Sequence, residues 1–131
     1  MSPPILHPTL EGTIAIHAAV LAEHEGSPGL RSRELLESAL ATPQAALLGT
    51  PVISDPIEIA AAYLFYLCRN DAFIDGGKPV ALATCLVFLS ENGLLKTEDL
   101  NADAWENLTL ETAAGVLNRD EVTQRLRDLV S

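Results

Sequence analysis

Apolar residues recur along most of this chain at helical rather than strand spacing, and the polar breaks between them fall where helices end. Leu10 to Glu23 predicts a first helix, with Ile14, Ala18 and Leu21 on one face and Ile16 and Val20 beside it. Gly26-Ser27-Pro28-Gly29 ends it. Ser32 caps a second helix running to Ala41, which presents Leu35, Leu36, Ala39 and Leu40. From Thr42 to Ser54 the pattern is broken by Pro43, Gly49 and Pro51, so the segment reads as mostly loop with room for a short helical turn.

Asp55-Pro56 opens a third helix as cap and first residue. Its body, Ile57 to Cys68, is apolar nearly all round, which predicts burial in the middle of the fold. A fourth helix, Pro79 to Glu91, is equally apolar and stops at Asn92-Gly93. Leu94-Leu95-Lys96-Thr97 reads as a brief extended piece. A fifth helix is predicted over Ala102 to Val116, and a sixth over Arg119 to Val130 with Val122, Leu126 and Leu129 on one face. The expected fold is all-α: a compact bundle of about six helices around a buried central pair. With 131 residues and no repeat, low-complexity tract or linker, the chain reads as one domain over 1–131, its core over about 10–117 and its last helix over about 119–130.

Composition sharpens this picture. Hydrophobic residues make up 48% of the chain but aromatics only 5%, so closely packed Leu, Ala, Val and Ile fill the core. The net charge of −10 opposes contact with nucleic acid or an anionic membrane and favours a basic partner, while also serving plain solubility. Cys68 and Cys85 sit in the two apolar helices without metal-ligand spacing, as reduced core thiols. Met1-Ser2-Pro3-Pro4 has no basic region or sustained apolar stretch, so no signal peptide is expected. The apolar runs, roughly ten residues long, are about half of a membrane span. The chain is expected to be cytoplasmic.

Candidate chemistry lies between the central helices, in Asn70-Asp71-Ala72-Phe73-Ile74-Asp75-Gly76-Gly77-Lys78-Pro79-Val80. A loop feeding a helix N-terminus gathers free N–H groups and the positive end of the helix dipole, a place suited to phosphate. Phe73, Asp75, Gly76 and Lys78, the following Ala81-Leu82-Ala83-Thr84-Cys85-Leu86-Val87-Phe88-Leu89-Ser90-Glu91-Asn92-Gly93, and the upstream stretch from Gly26 to Leu40 resemble the Fic/Doc family. The likeness is to the short death-on-curing toxins of bacterial toxin–antitoxin pairs, and it covers about His17 to Gly93. That family's loop reads roughly His-x-Phe-x-Asp-Gly/Ala-Asn-Lys/Gly-Arg. Here its His falls on Asp71, its Asn on Gly77 and its Arg on Pro79.

The resemblance implies transfer of a phosphate-containing group from ATP, with magnesium, to a protein hydroxyl: AMP in most members, phosphate onto a translation factor in the death-on-curing type. It also implies an antitoxin-like peptide as partner. By position Asp71 would be the catalytic base, Asp75 the metal ligand, and Gly76, Gly77 and Lys78 the phosphate site. A carboxylate is a weaker base near neutral pH than an imidazole and adds negative charge beside the phosphate. An Asp base nevertheless serves in protein kinases. Gly77 leaves only backbone N–H, and Pro79 replaces a guanidinium clamp while deleting a donor, yet sits comfortably as a helix-starting residue. Phe73 reads as a plug anchoring the loop. A charge-assisted hydrogen bond contributes about 1.5–3 kcal/mol and acid–base catalysis typically 10²–10⁴-fold, so loss of the base and the Arg together predicts a loss of several orders of magnitude in rate.

Two functions follow. One is a catalytically degenerate, partner-binding pseudoenzyme, with an apolar groove beside helices one and two receiving a partner's amphipathic helix. The other is an active kinase or AMP-transferase toxin acting on the translation machinery with Asp71 as base. A remnant without function is a third reading. Elsewhere, His7, His17 and His24 have no metal spacing and read as solvated or core-edge. Trp105 reads as a packing anchor, and Arg31-Ser32-Arg33-Glu34 as fixing the turn into helix two. Glu37 is able to face the loop or to be solvated. Ser54 and Glu58 reproduce part of the family's inhibitory Ser/Thr-x-x-x-Glu spacing, but Ile59 breaks it.

Overall fold

The structure, a computed structural model, describes residues 4–95 and 100–131. Its described residues form six helices: α1 (Leu10–Glu23), α2 (Arg33–Ala41), α3 (Pro56–Asn70), α4 (Gly77–Glu91), α5 (Ala102–Ala113) and α6 (Arg119–Val130). The expectation of a mainly helical fold is met. A short 3-10 turn (Thr42–Gln44) and a small antiparallel hairpin, β1 (Ala46–Leu47) with β2 (Thr50–Pro51), join α2 to α3.

Caps mark the helix starts. Thr9, Ser32, Asp55, Asn101 and Asn118 each turn a side-chain oxygen onto a free N–H of the helix that follows, removing an orphan donor. α3 lies at the centre and packs on α2, α4, α5 and α6. Ala60, Ala61, Ala62, Tyr63 and Leu64 are fully buried, as its all-round apolar sequence requires. The small side chains let α4 lie close along it, with Val80, Ala81, Cys85 and Leu89 equally buried. Arg127 bonds the Asp55 carboxylate and Arg119 reaches Glu58, so α6 is fastened to the first turn of α3.

Several boundaries differ from the sequence expectation. α3 runs on past Cys68 to Asn70, whose side chain donates to the Leu35 carbonyl at 2.9 Å. α4 begins at Gly77, so Pro79 occupies its third position rather than its first; Gly76, at φ 79°, caps it and accepts from Val80 N. Proline fits there because first-turn N–H groups need no helical acceptor. α5 stops at Ala113 instead of Val116, because Gly115 at φ 80° turns the chain back. The hairpin replaces expected loop. Leu94 and Leu95 form no strand, while Lys96 and Thr97 lie outside the described residues. No described helix is long and apolar enough to cross a membrane.

Candidate functional site

The loop joining α3 to α4 is held by its main chain. At the end of α3, Asp71 adopts the left-handed conformation (φ 48°, ψ 58°), which a side chain with Cβ tolerates at a cost of about 1–2 kcal/mol. Arg31 compensates: its guanidinium donates to the Asp71 carbonyl at 2.9 Å and the Asn70 carbonyl at 3.1 Å. Next, the Ala72 carbonyl accepts from Arg31 N and Ser32 N, Phe73 bridges to Leu30, and Ile74 N donates to the Gly29 carbonyl. The loop therefore runs as a strand-like partner of residues 29–32.

Phe73 is buried and stacks on His17 with ring centroids 4.2 Å apart. His17 Nε2–H donates to the Asp75 carbonyl at 2.8 Å. The Asp75 carboxylate accepts from Ser27 N at 2.8 Å. Gly76 then passes close to α1, where an added Cβ would stand 3.5 Å from Val20 and 3.6 Å from His17 and Leu21. His17, expected to be solvated or at the core edge, is thus buried beneath the loop and fixes both its ring and its backbone.

Beyond this anchored stretch lies a cavity of about 270 Å³ lined by Cys68, Arg69, Asp71, Gly77, Lys78 and Ala113. Asp71 Oδ1 stands 3.2 Å from where a Cβ on Gly77 would be, so the carboxylate lies against the first turn of α4. Burial pushes the Cys68 thiol up to about 12; Lys78 and Arg69 pull it down and Asp71 pushes it up. That thiol stays protonated and unreactive near neutral pH.

Residues 7–89 match the sequence profile of the Fic/DOC family. Over 101 residues the chain is 35% identical to a Toxin Doc of Mycolicibacterium smegmatis, covering 77% of this chain and 78% of that protein. Over 123 residues it is 30% identical to Protein kinase doc of Escherichia phage P1, covering 94% of each. This chain belongs to the Fic/DOC family.

Within this Fic/DOC loop the residues singled out from the sequence do not all meet. Asp71, Gly77 and Lys78 share the cavity. Asp75 does not line it, being turned toward Ser27, and Phe73 is the buried anchor. Pro79 faces another surface, described below. No cluster of three or more His, Cys, Asp or Glu among the described residues has a metal-binding arrangement. Asp75 keeps one carboxylate oxygen beyond its bond to Ser27, which suits magnesium only if most other ligands come from a nucleotide's phosphates and water. Glu37 does not reach the loop; it pairs with Arg33 on the surface. Two contributors escaped the sequence reading. One is His17. The other is Arg69, a lone cation in the last turn of an apolar helix, whose position two residues before Asp71 was the available signal.

A second, larger hollow of about 420 Å³ lies between α4 and α5. Leu82, Leu86, Trp105 and Leu110 make it apolar, and Lys78 and Pro79 connect it with the loop. The groove was expected beside helices one and two. That face carries a smaller hollow of about 380 Å³ between the entrance of α1 and α2, where His7, Glu37 and Gln44 stand beside Leu10 and Leu40. Trp105 is the buried anchor expected of it, and it also forms part of the groove wall.

Proposed function

We propose that this Fic/DOC chain is a Doc-like protein of toxin–antitoxin type in which transfer of phosphate or AMP to protein hydroxyls is lost or vestigial, and which acts by binding a partner. The observation that carries this reading is the Asp71 carboxylate lying against the first turn of α4. A phosphate bound at that turn would meet a negative charge instead of an imidazole. Gly77 supplies no side-chain donor, and Pro79 removes one N–H from the same turn. Two backbone donors, those of Gly77 and Lys78, remain.

The partner is an antitoxin-like chain that lays an amphipathic helix into the groove between α4 and α5. Support comes from the groove's apolar wall and from its continuity with the loop through Lys78 and Pro79. A chain of net charge −10 favours a partner helix with a basic rim.

An active transferase directed at the translation machinery is the second reading. Asp71 and Lys78 lining one cavity favours it, since a base and a phosphate cation belong together in such a site. Incubation with labelled ATP, magnesium and cell extract separates the two. No incorporation above background is expected. Clear labelling that disappears in Asp71→Ala overturns the inert reading.

A further inference from the structure

Residues 4–9 lead into α1 as an extended strap that passes the C-cap of α4. Among the described residues, no backbone–backbone hydrogen bond ties residues 4–8 to the rest of the chain. Three side-chain bonds hold them instead. Leu6 N donates to Asn92 Oδ1 at 2.8 Å, and Asn92 Nδ2 donates to the Leu6 carbonyl at 2.9 Å. The third joins His7 Nδ1 to the Tyr63 hydroxyl, 2.7 Å apart. A segment with so few bonds, and with Leu6 largely exposed, belongs to the part of a fold that opens most readily.

What the strap covers is aromatic. The His7 ring stands 6.0 Å from the rings of both Tyr63 and Phe88, which lie 5.4 Å from each other and are fully buried. Two hollows of about 390 and 380 Å³ flank the strap and share His7, Pro8 and Thr9 as their common wall.

The bond at His7 depends on which partner carries the hydrogen. Burial pushes the Tyr63 hydroxyl far above its ordinary value, so it keeps its proton. The Gln44 amide lies against that oxygen as a donor, which leaves His7 Nδ1 to accept from the Tyr63 O–H and puts the neutral ring's proton on Nε2. A proton added to Nδ1 would face the O–H. The hydroxyl has no second acceptor bonded to it among the described residues, so the bond is lost and a buried donor is left unpaired. Burial accordingly holds the His7 pKa below its ordinary value. Of the charged groups facing the ring, Glu37 of α2 and Glu91 of α4 line the two hollows, and His7 forms no ion pair with either. The entrance of α1 contributes only the uncharged Thr9, Gly12 and Ile16.

We propose that the N-terminal strap is a proton-released latch: a proton on His7 breaks its bond to Tyr63, frees the strap, uncovers the Tyr63–Phe88 floor and joins the two hollows into one trough. Asn92 and the half-buried Ile5 alone then hold residues 4–8. Because the strapped ring favours the neutral form and the released ring takes up a proton near its ordinary value, the ratio of released to strapped molecules should rise as pH falls. The rise is up to tenfold for each unit below about 6.5. The latch lies at the opposite end of α4 from the loop, so it stands whether or not the loop transfers anything.

Backbone relaxation of the isotope-labelled full chain between about pH 7.5 and about pH 5, with the His7 Cε1–H resonance followed in parallel, tests it. Order parameters at Leu6 and His7 should be about 0.85 at the upper end and fall below about 0.6 at the lower end. The fall should track the His7 titration while α3 stays rigid. His7→Gln keeps an acceptor for Tyr63 but takes up no proton, so its strap should stay ordered throughout. Asn92→Ala, which removes the other tether, should loosen the strap at both ends of the range. A wild-type strap that remains rigid once His7 is charged overturns the proposal, and this reading needs no variant to fold. So does an undiminished pH response in His7→Gln, a strap still rigid at the lower end in Asn92→Ala, or loosening of α3 together with the strap.

Discussion

The guanidinium of Arg31 holds the main chain at Asp71, bridging from the entrance of α2 to the last carbonyls of α3. Those carbonyls have no helical partner, and Asp71 stands in a conformation few residues adopt, so one side chain answers two local deficits. Arg31→Ala should lower stability by about 1 kcal/mol, the low end for a charged donor because the side chain is exposed. A urea titration should show a lower midpoint with unchanged slope. Amide exchange at Phe73 and Ile74 should quicken before the rest of the core opens.

Restoring the family's side chains should restore chemistry. Asp71→His, Gly77→Asn and Pro79→Arg need to be made together, because a Cβ at position 77 approaches the present Asp71 carboxylate at 3.2 Å. The triple variant should transfer label from ATP at least about 10²-fold above the parent, the lower value for acid–base catalysis. A folded but silent triple variant would place the defect outside the loop.

Leu110 is 44% exposed on the wall of the α4–α5 groove, so a charge there should disturb folding little. Leu110→Glu should leave thermal unfolding nearly unchanged and abolish binding of the proposed partner's helix. Trp105, the one tryptophan of the chain, reports on the groove directly. Its emission should shift on adding the helical peptide to the parent and stay constant in the variant.

At the N-terminal side, His7 Nδ1 lies 2.7 Å from the hydroxyl of the fully buried Tyr63, and Leu6 exchanges two hydrogen bonds with the Asn92 side chain. Burial lowers the His7 pKa below its ordinary value, even though Glu37 of α2 and Glu91 of α4 line the cavities on either side. A depressed histidine pKa means the unfolded chain binds more protons than the native one between the two pKa values. Stability should therefore rise with pH through that interval below about 6.5 and level off above it. His7→Phe should flatten this dependence, as measured by denaturant midpoints between mildly acidic and neutral pH.

Most of the helical frame was legible because caps and apolar runs agree. Ser32 and Asp55-Pro56, with their helices, left little choice of start. Pro79 misled by two residues: proline's preference for the first helical position hid the start at Gly77, capped by the left-handed Gly76. The hairpin was not legible, since its strands have two residues each and its turn places Leu48, not Asn or Gly, at φ 52°. At the site, the family resemblance marked which loop positions depart from its pattern, but not where their side chains point. That Asp75 turns to Ser27 and Arg69 crosses to Gly115 depends on contacts made far along the chain.

The loop is braced by Arg31, His17, Phe73 and Ser27 through carbonyls, N–H groups and one ring stack, while positions 71, 77 and 79 contribute no side chain to that bracing. Shape and reactivity are thereby uncoupled along a stretch of about ten residues. Substitution at those three positions therefore escapes purging by misfolding, and the architecture persists whatever side chains come to stand there.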